Sequence, residues 1–148
     1  MFASCGILYN HESVHRQEKF ISKKIIQAAI DIKNKKRNEL IIGNLNVEID
    51  WGYAPDYVEA MHKILNLDRP DDFVVATGKS HKVVDYVNIA FGYFGLNWKD
   101  YVKVDKDLIR EKRKKMIGDT AKLRKMTGWE PKTSFEEMVV IIIKELDK

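Results

Sequence analysis

The first residues that could do chemistry form the segment Asn10-His11-Glu12-Ser13-Val14-His15-Arg16. Within it, His11-Glu12-x-x-His15 has the spacing of a zinc hydrolase, in which two histidines on one helical face hold the metal and the glutamate acts as base. The segment directly follows Cys5-Gly6-Ile7-Leu8-Tyr9, whose apolar character predicts a buried strand. We therefore expect residues 10–17 to be a loop leaving that strand, which disfavours the zinc interpretation.

The elements that would position this segment follow from hydrophobic periodicity and from turn and capping residues. Strands that alternate with helices predict an α/β chain. In chain order we expect a strand at 4–9, a helix at 20–35, strands at 40–42 and 47–51, a helix at 54–65, a strand at 73–76, a helix at 82–94, a strand at 101–104, a short helix from Thr120 to Gly128, and a last helix opened by the capping box Ser134-x-x-Glu137.

Four of these helices have an apolar face at helical spacing, and we expect that face to be buried. Ser80 is the expected N-cap of the helix at 82–94. The expected inward residues are Ile21, Ile25, Ala28 and Ile32 in the first helix, Tyr57, Met61, Ile64 and Leu65 in the second, Val83, Val87, Ala90, Phe91 and Phe94 in the helix at 82–94, and Met138, Ile142 and Leu146 in the last.

The composition is that of one ordinary soluble globular domain, with 148 residues, 45% hydrophobic and 32% charged. The single cysteine, Cys5, cannot form an internal disulfide, and we expect a buried, unreactive thiol in a reducing cytosol. No signal peptide and no run of about 18 apolar residues is present, so we expect a cytoplasmic protein without a membrane partner.

The net charge of +4 comes partly from basic clusters at 33–37 and 110–115. Such clusters can attract a polyanion or a diphosphate, and they can equally be solvated surfaces. Because neither cluster is interleaved with aromatic residues and no nucleic-acid motif occurs, we do not expect a nucleic-acid partner.

Beyond the apolar pattern, several motifs resemble one family over most of the chain. They are Asn10-His11-Glu12-Ser13 with Arg16 and Lys23-Lys24-Ile25, Gly43-Asn44-Leu45, Asp50-Trp51-Gly52-Tyr53-Ala54, Asp56 to Met61, Asp72 to Gly78, and a tail from Gly118 through Gly128-Trp129-x-Pro131 to Glu137. Together they resemble the GDP-mannose 4,6-dehydratases, and the tail resembles extended short-chain dehydrogenases/reductases generally.

This resemblance implies the C-terminal part of an extended short-chain dehydrogenase/reductase fold. Edge strands of a Rossmann-like parallel sheet would accompany a small substrate-binding α/β domain. Residues 1–148 would form a single substrate-binding portion, with the N-terminal dinucleotide-binding half absent. The sheet would then expose an edge, so we expect a marginally stable or self-associating chain. Expected partners are a nucleotide sugar, and either the missing half or further copies of the chain.

The activity implied by the resemblance is that of a lyase that converts GDP-mannose to GDP-4-keto-6-deoxymannose with NADP. The sequence lacks the Gly-rich turn and the Tyr-x-x-x-Lys pair of such enzymes. We therefore expect a portion that is not catalytically self-sufficient, and whether it is itself an enzyme stays open. The alternatives are another nucleotide-sugar epimerase, dehydratase or reductase, or a non-catalytic nucleotide-sugar-binding remnant.

The resemblance also assigns candidate site residues. His11 and Arg16 match positions that contact NADP. The expected substrate-binding residues are Asn10, Lys24, Asn44 and Arg110. Ile49 departs from the family, which has an arginine before Asp-Trp-Gly, so one diphosphate-binding charge is lost. No residue is expected to be catalytic or to bind a metal.

Overall fold

The computed structural model describes residues 1–109 and 115–148. In chain order its elements are β1 (Gly6–Leu8), β2 (Asn10–Glu12), α1 (Ile21–Lys33), β3 (Leu40–Ile42), β4 (Glu48–Ile49), β5 (Trp51–Tyr53), α2 (Ala54–Leu65), β6 (Phe73–Val75), β7 (His81–Lys82), α3 (Val83–Gly92), β8 (Val102–Val104), α4 (Ala121–Thr127) and α5 (Phe135–Leu146). Short 3-10 helices occupy Trp98–Asp100 and Lys106–Leu108.

The chain divides into two compact units, each built from three segments. The first unit consists of 1–13, 49–80 and 116–138. The second unit consists of 14–48, 81–115 and 139–148.

Two parallel strand pairs organise the first unit. β1 pairs with β6 in the register Gly6↔Phe73, and β2 pairs with β5 in the register Asn10↔Trp51. Residues 10–12 are therefore not part of a loop, and that part of the expectation for 10–17 is wrong. The strand continues because the neighbouring edge of β5 is available for backbone pairing, which satisfies amide and carbonyl groups whatever the side chains are.

The core of the first unit lies between α2, α4 and β6. Its buried members are Tyr57, Ala60, Ile64, Phe73, Val75, Leu123 and Trp129. The predicted bounds of α2 are confirmed, and Pro55 lies in its first turn, where a missing N–H costs nothing. Met61 and Leu65 were expected inside, but they are 37% and 62% exposed, so this expectation is wrong. The apolar face of α2 is wider than the part of the helix that packs on the core.

β1 is less covered than its sequence predicts. Cys5 is exposed and Ile7 is 52% exposed, so the expectations of a buried thiol and a buried strand are wrong. Among residues 1–109 and 115–148, β1 pairs only with β6, and Leu8, whose side chain alternates with that of Ile7, packs against the core.

The second unit contains α1, α3 and the parallel pair of β3 and β8. The predicted helices and strands are confirmed there with small shifts at their ends. Ile25 and Ala28 of α1 are fully buried, as are Val87, Ala90 and Phe91 of α3. Apolar residues at helical spacing therefore build this core, as the periodicity predicted.

The capping rules hold at the C-terminus of α4 and at the N-terminus of α5, whereas the Thr120 side chain makes no cap hydrogen bond at the start of α4. Gly128 ends α4 at φ +63°, and the Ser134–Glu137 capping box opens α5, with hydrogen bonds of 2.9 Å and 3.2 Å. Ser80 is not the N-cap of α3. The helix begins later, after Lys82, whose N–H donates to the Asp85 carboxylate at 2.8 Å. Within the described residues, no helix is long and apolar enough to cross a membrane.

Candidate functional site

β2 carries two of the predicted site residues. Asn10 is exposed and His11 is half-buried, while Glu12 is 2% exposed. They follow directly on β1, whose pairing with β6 is parallel, so Asn10 and His11 lie beyond the carboxyl ends of two parallel strands. This is the edge at which open α/β sheets bind ligands.

The imidazole of His11 has a defined orientation. Its Nδ1 lies 2.9 Å from the carbonyl oxygen of Tyr9, and its ring centroid lies 5.3 Å from that of Tyr57. A carbonyl oxygen can only accept, so Nδ1 carries the hydrogen and, in the neutral ring, Nε2 is an acceptor. His11 can therefore accept a hydrogen bond from a ligand N–H or O–H group.

The geometry that a zinc hydrolase needs is not present at His11 and His15. His11 lies on β2 and His15 lies in a turn, so the two histidines do not share a helical face. In the described parts of the chain, no three His, Cys, Asp or Glu side chains are grouped so that they could hold a metal ion.

Arg16 belongs to the second unit and stacks on an aromatic ring. Its guanidinium carbon lies 3.6 Å from the centroid of the Phe20 ring. Stacking of this kind fixes the plane of the guanidinium group and so limits the directions in which its N–H groups can donate.

Of the two adjacent lysines on α1, Lys24 is exposed and Lys23 is buried, with 8% exposure. The Lys23 ammonium donates to the carbonyl oxygen of Val14 at 2.8 Å. Burial lowers the pKa of Lys23, and the negative charge of Glu18 partly opposes that shift. The burial of Lys23 was not predicted from the sequence. The available signal was the apolar Ile26, three positions later and on the same side of the helix, which is also buried.

Asn44 and Arg110 are the other two residues that were predicted to bind substrate. Asn44 is exposed after β3, and its side-chain oxygen accepts from the Asn46 N–H at 2.8 Å, which closes a local turn. Arg110 lies outside the described residues. The structure thus places Asn10 and His11 together in the first unit, while Arg16, Lys24 and Asn44 belong to the second.

A buried carboxylate that sequence reasoning did not single out orders the same edge of the first unit. Asp50 is 1% exposed and accepts from the backbone N–H groups of Thr77, Gly78 and Gly118 at 3.0, 3.0 and 3.2 Å. The hydroxyl of Thr77 also donates to it, at 2.5 Å. Because Thr77 and Gly78 follow β6, Asp50 fixes the loop at the carboxyl end of that strand.

Asp56 is a second structural carboxylate, in the first turn of α2. It accepts from the backbone N–H groups of Lys132 and Thr133, at 3.2 and 2.9 Å. Its backbone carbonyl accepts from the indole of Trp129 at 3.0 Å. Trp51 is 2% exposed and stacks on Phe135, so it is a core residue.

The chain is similar to known proteins over almost its whole length. The family model described as GDP-mannose 4,6 dehydratase matches residues 1–142. The chain is 44% identical over 146 residues to "GDP-mannose 4,6 dehydratase 1" of Arabidopsis thaliana, covering 98% of this chain and 40% of the relative. The chain thus spans about two fifths of the length of that relative.

Solved structures show the same fold at low identity. The structure of RMD from Pseudomonas aeruginosa complexed with NADPH has a TM-score of 0.85 and 16% identity, covering 96% of this chain and 47% of that one. A dTDP-glucose 4,6-dehydratase from Bacillus anthracis in complex with NAD has a TM-score of 0.82 and 14% identity, covering 96% and 43%. The predicted extended short-chain dehydrogenase/reductase fold is confirmed, and the chain belongs to the GDP-mannose 4,6-dehydratase family.

Proposed function

We propose that this chain is the substrate-binding portion of a GDP-mannose 4,6-dehydratase, which converts GDP-mannose to GDP-4-keto-6-deoxymannose. The observation that carries the proposal is the position of Asn10 and His11 beyond the carboxyl ends of the parallel strands β1 and β6. The family match over residues 1–142 supplies the substrate class.

Each candidate residue suits a part of such a ligand. The amide of Asn10 can both donate to and accept from sugar or phosphate oxygens. Lys24 on α1 offers an exposed ammonium group to a diphosphate. Asn44 and Arg110 are the remaining proposed substrate contacts, with Arg110 suited to phosphate by its planar fork of donors.

His11 and Arg16 are proposed to bind the nicotinamide cofactor, with NADP as the expected form. The fit is supported by the acceptor Nε2 of His11 and by the stacked guanidinium of Arg16, which suits a phosphate. When bound, the cofactor would accept a hydride from the hexose and return it. The residues of this chain would bind and orient the two ligands.

The catalytic groups are proposed to lie outside this sequence, because it contains neither a Tyr-x-x-x-Lys pair nor a Gly-rich turn. The chain would therefore act together with a dinucleotide-binding portion. Isolation of the protein from its native source, followed by intact-mass measurement, tests this point. A species larger than 17.3 kDa or a bound second portion is expected, and a lone 17.3 kDa species would contradict it.

Calorimetry with GDP-mannose, GDP and UDP-glucose tests the binding role. We expect GDP-mannose to bind more tightly than UDP-glucose, and Asn10→Ala to weaken binding roughly tenfold, which corresponds to about 1.4 kcal/mol. Asn88→Ala is the matched control, since Asn88 is exposed on α3. Equal and negligible heats for all three ligands would contradict the proposal and favour a non-catalytic remnant.

A different nucleotide-sugar enzyme is the second candidate. The loss of a family arginine at Ile49 is the observation that keeps it in the test. If UDP-glucose bound more tightly than GDP-mannose, the substrate assignment would be wrong while a nucleotide-sugar role would stand.

A further inference from the structure

The orientation of His11 depends on the residue beneath its ring. One side of the imidazole is fixed by the hydrogen bond from Nδ1 to the Tyr9 carbonyl, at 2.9 Å. The face of the ring meets Tyr57, with the two planes tilted by 32°. A single hydrogen bond still allows the imidazole to rotate about its side-chain torsion angles. A packed aromatic neighbour restricts that rotation.

Tyr57 is itself held firmly. It is 1% exposed, and its ring meets that of Trp129 edge to face at 86°. On another side it lies against Gly52 of β5, where an added Cβ would be 2.3 Å from the Tyr57 Cε2 atom. Glycine at position 52 therefore makes the space that the ring occupies, and the ring has little room to shift.

The hydroxyl of Tyr57 can be separated from this packing role. It is buried, and among the described residues it has no hydrogen-bond partner. Burial raises the pKa of Tyr57, and the nearby negative charges of Asp50, Asp56 and Glu12 raise it further, so the hydroxyl keeps its proton. A phenylalanine at position 57 would preserve the ring contact with His11 and remove only this hydroxyl.

We infer that Tyr57 is a positioning residue for His11. Its ring keeps the imidazole on the Tyr9 carbonyl, so that the neutral ring presents Nε2 as an acceptor to a hydroxyl or amide donor of a nicotinamide dinucleotide. The ligand in this inference rests on the proposed function of His11, whereas the control of the imidazole by Tyr57 is a property of the chain alone.

Imidazole ¹⁵N chemical shifts of the labelled chain test the positioning directly, at a pH where the rings are neutral. In the wild type we expect Nδ1 of His11 to be protonated and Nε2 to be unprotonated. Tyr57→Phe should leave both shifts unchanged. Tyr57→Leu should move the two shifts toward each other, because the ring then exchanges between tautomers. His62, exposed on α2, is the internal control in every sample.

Two results would overturn the inference. A wild-type His11 with its proton on Nε2 would do so without any variant, even if Tyr57→Leu failed to fold. A folded Tyr57→Leu chain, checked by circular dichroism, with wild-type His11 shifts would do so as well.

Titration with NADP⁺ separates this inference from the proposed function. We expect His11→Ala and Tyr57→Leu each to weaken NADP⁺ binding about tenfold, Tyr57→Phe to change it less than twofold, and the double variant to lose no more than His11→Ala alone. If the shifts change as expected but neither single variant affects NADP⁺, the proposed role of His11 is wrong and the positioning by Tyr57 stands. If His11→Ala weakens binding and Tyr57→Leu changes neither shifts nor affinity, the positioning is wrong.

Discussion

Two three-residue strands lie one residue apart in the first unit and have opposite surroundings. β1 is apolar, yet Ile7 is 52% exposed. β2 is polar, yet Glu12 is 2% exposed and His11 packs on Tyr57. Burial normally favours apolar groups and penalises polar ones. β1 departs from this rule because the apolar Ile7 is presented to water, and β2 departs from it because the charged Glu12 is buried.

The partners of the two strands explain the difference. β2 pairs with β5, which is preceded by the buried Asp50 and contains Gly52, the residue that admits the Tyr57 ring. In the part of the chain that the structure describes, β6 is the single pairing partner of β1. Substitutions on the β2 side should therefore act on folding and on His11, whereas substitutions on β1 should act on association.

The largest effect is expected from Asp50→Ala. The substitution removes the acceptor of three backbone N–H groups and one hydroxyl, in a site where Asp50 is 1% exposed. Buried donors without an acceptor are costly, so we expect the free energy of unfolding to fall by roughly 3 kcal/mol. Urea denaturation measures this, with Asp68→Ala, at an exposed position, as the control. A loss below about 1 kcal/mol would mean that water replaces the carboxylate without penalty.

Gly52→Ala should have the next largest effect. Its Cβ would lie 2.3 Å from Tyr57 Cε2, so the ring must move within a packed core. Overpacking of this kind destabilises a fold by about 1–3 kcal/mol. Gly92→Ala is the matched control, because no described atom other than its chain neighbours and the backbone of its own helix lies within 4 Å of the Cβ that would be added there. Equal unfolding free energies for the two variants would show that the Tyr57 ring can move aside at little cost. The packing around β2 would then be looser than we infer.

Local sequence patterns predicted much of this fold. Helical periodicity located α1, α2 and α3, and a continuous apolar run located β6, because these signals depend on residues a few positions apart. The Ser134–Glu137 capping box is equally local, and the structure confirms it. The motifs around Asn10 and Asp50 indicate the family from sequence alone, and the family match confirms this resemblance.

Contacts between distant residues were not predictable in the same way. β2 has no alternation of apolar and polar residues, because its pairing with β5, about 40 positions later, rests on backbone groups. The Asp50 carboxylate accepts from the backbone N–H group of Gly118, which lies 68 positions away in the chain. Nothing in the residues next to Asp50 in the sequence indicates which groups donate to it. The exposure of the Cys5 side chain depends on which faces of the strand are covered by other elements, and an apolar sequence does not indicate that. The proposed roles of Lys24, Asn44 and Arg110 stay predictions.

Ile7→Lys tests the other side of the comparison. We expect the wild-type chain to self-associate through β1, because an open strand edge with an exposed apolar side chain favours pairing with another chain. A lysine there should lower the mass measured by light scattering toward 17.3 kDa at concentrations where the wild type is larger. Val58→Lys, at a 61% exposed position on α2, should not. A wild type that is monomeric at every concentration would contradict this prediction.

Glu137→Gln should have the smallest effect, and it contrasts an exposed carboxylate with the buried Asp50. Hydrogen bonds from the Ser134 backbone and side chain lower the pKa of Glu137 from its usual 4.5, so its ionised form is favoured in the folded chain. Its contribution to stability is therefore fully present above pH 4.5 and is lost as the pH falls through the lower folded-state pKa. Glutamine preserves the capping hydrogen bond but not the charge. We expect wild type and variant to differ slightly in urea midpoint at pH 7, and the difference to disappear in acid. A difference that persists unchanged in acid would show that the charge of Glu137 does not contribute.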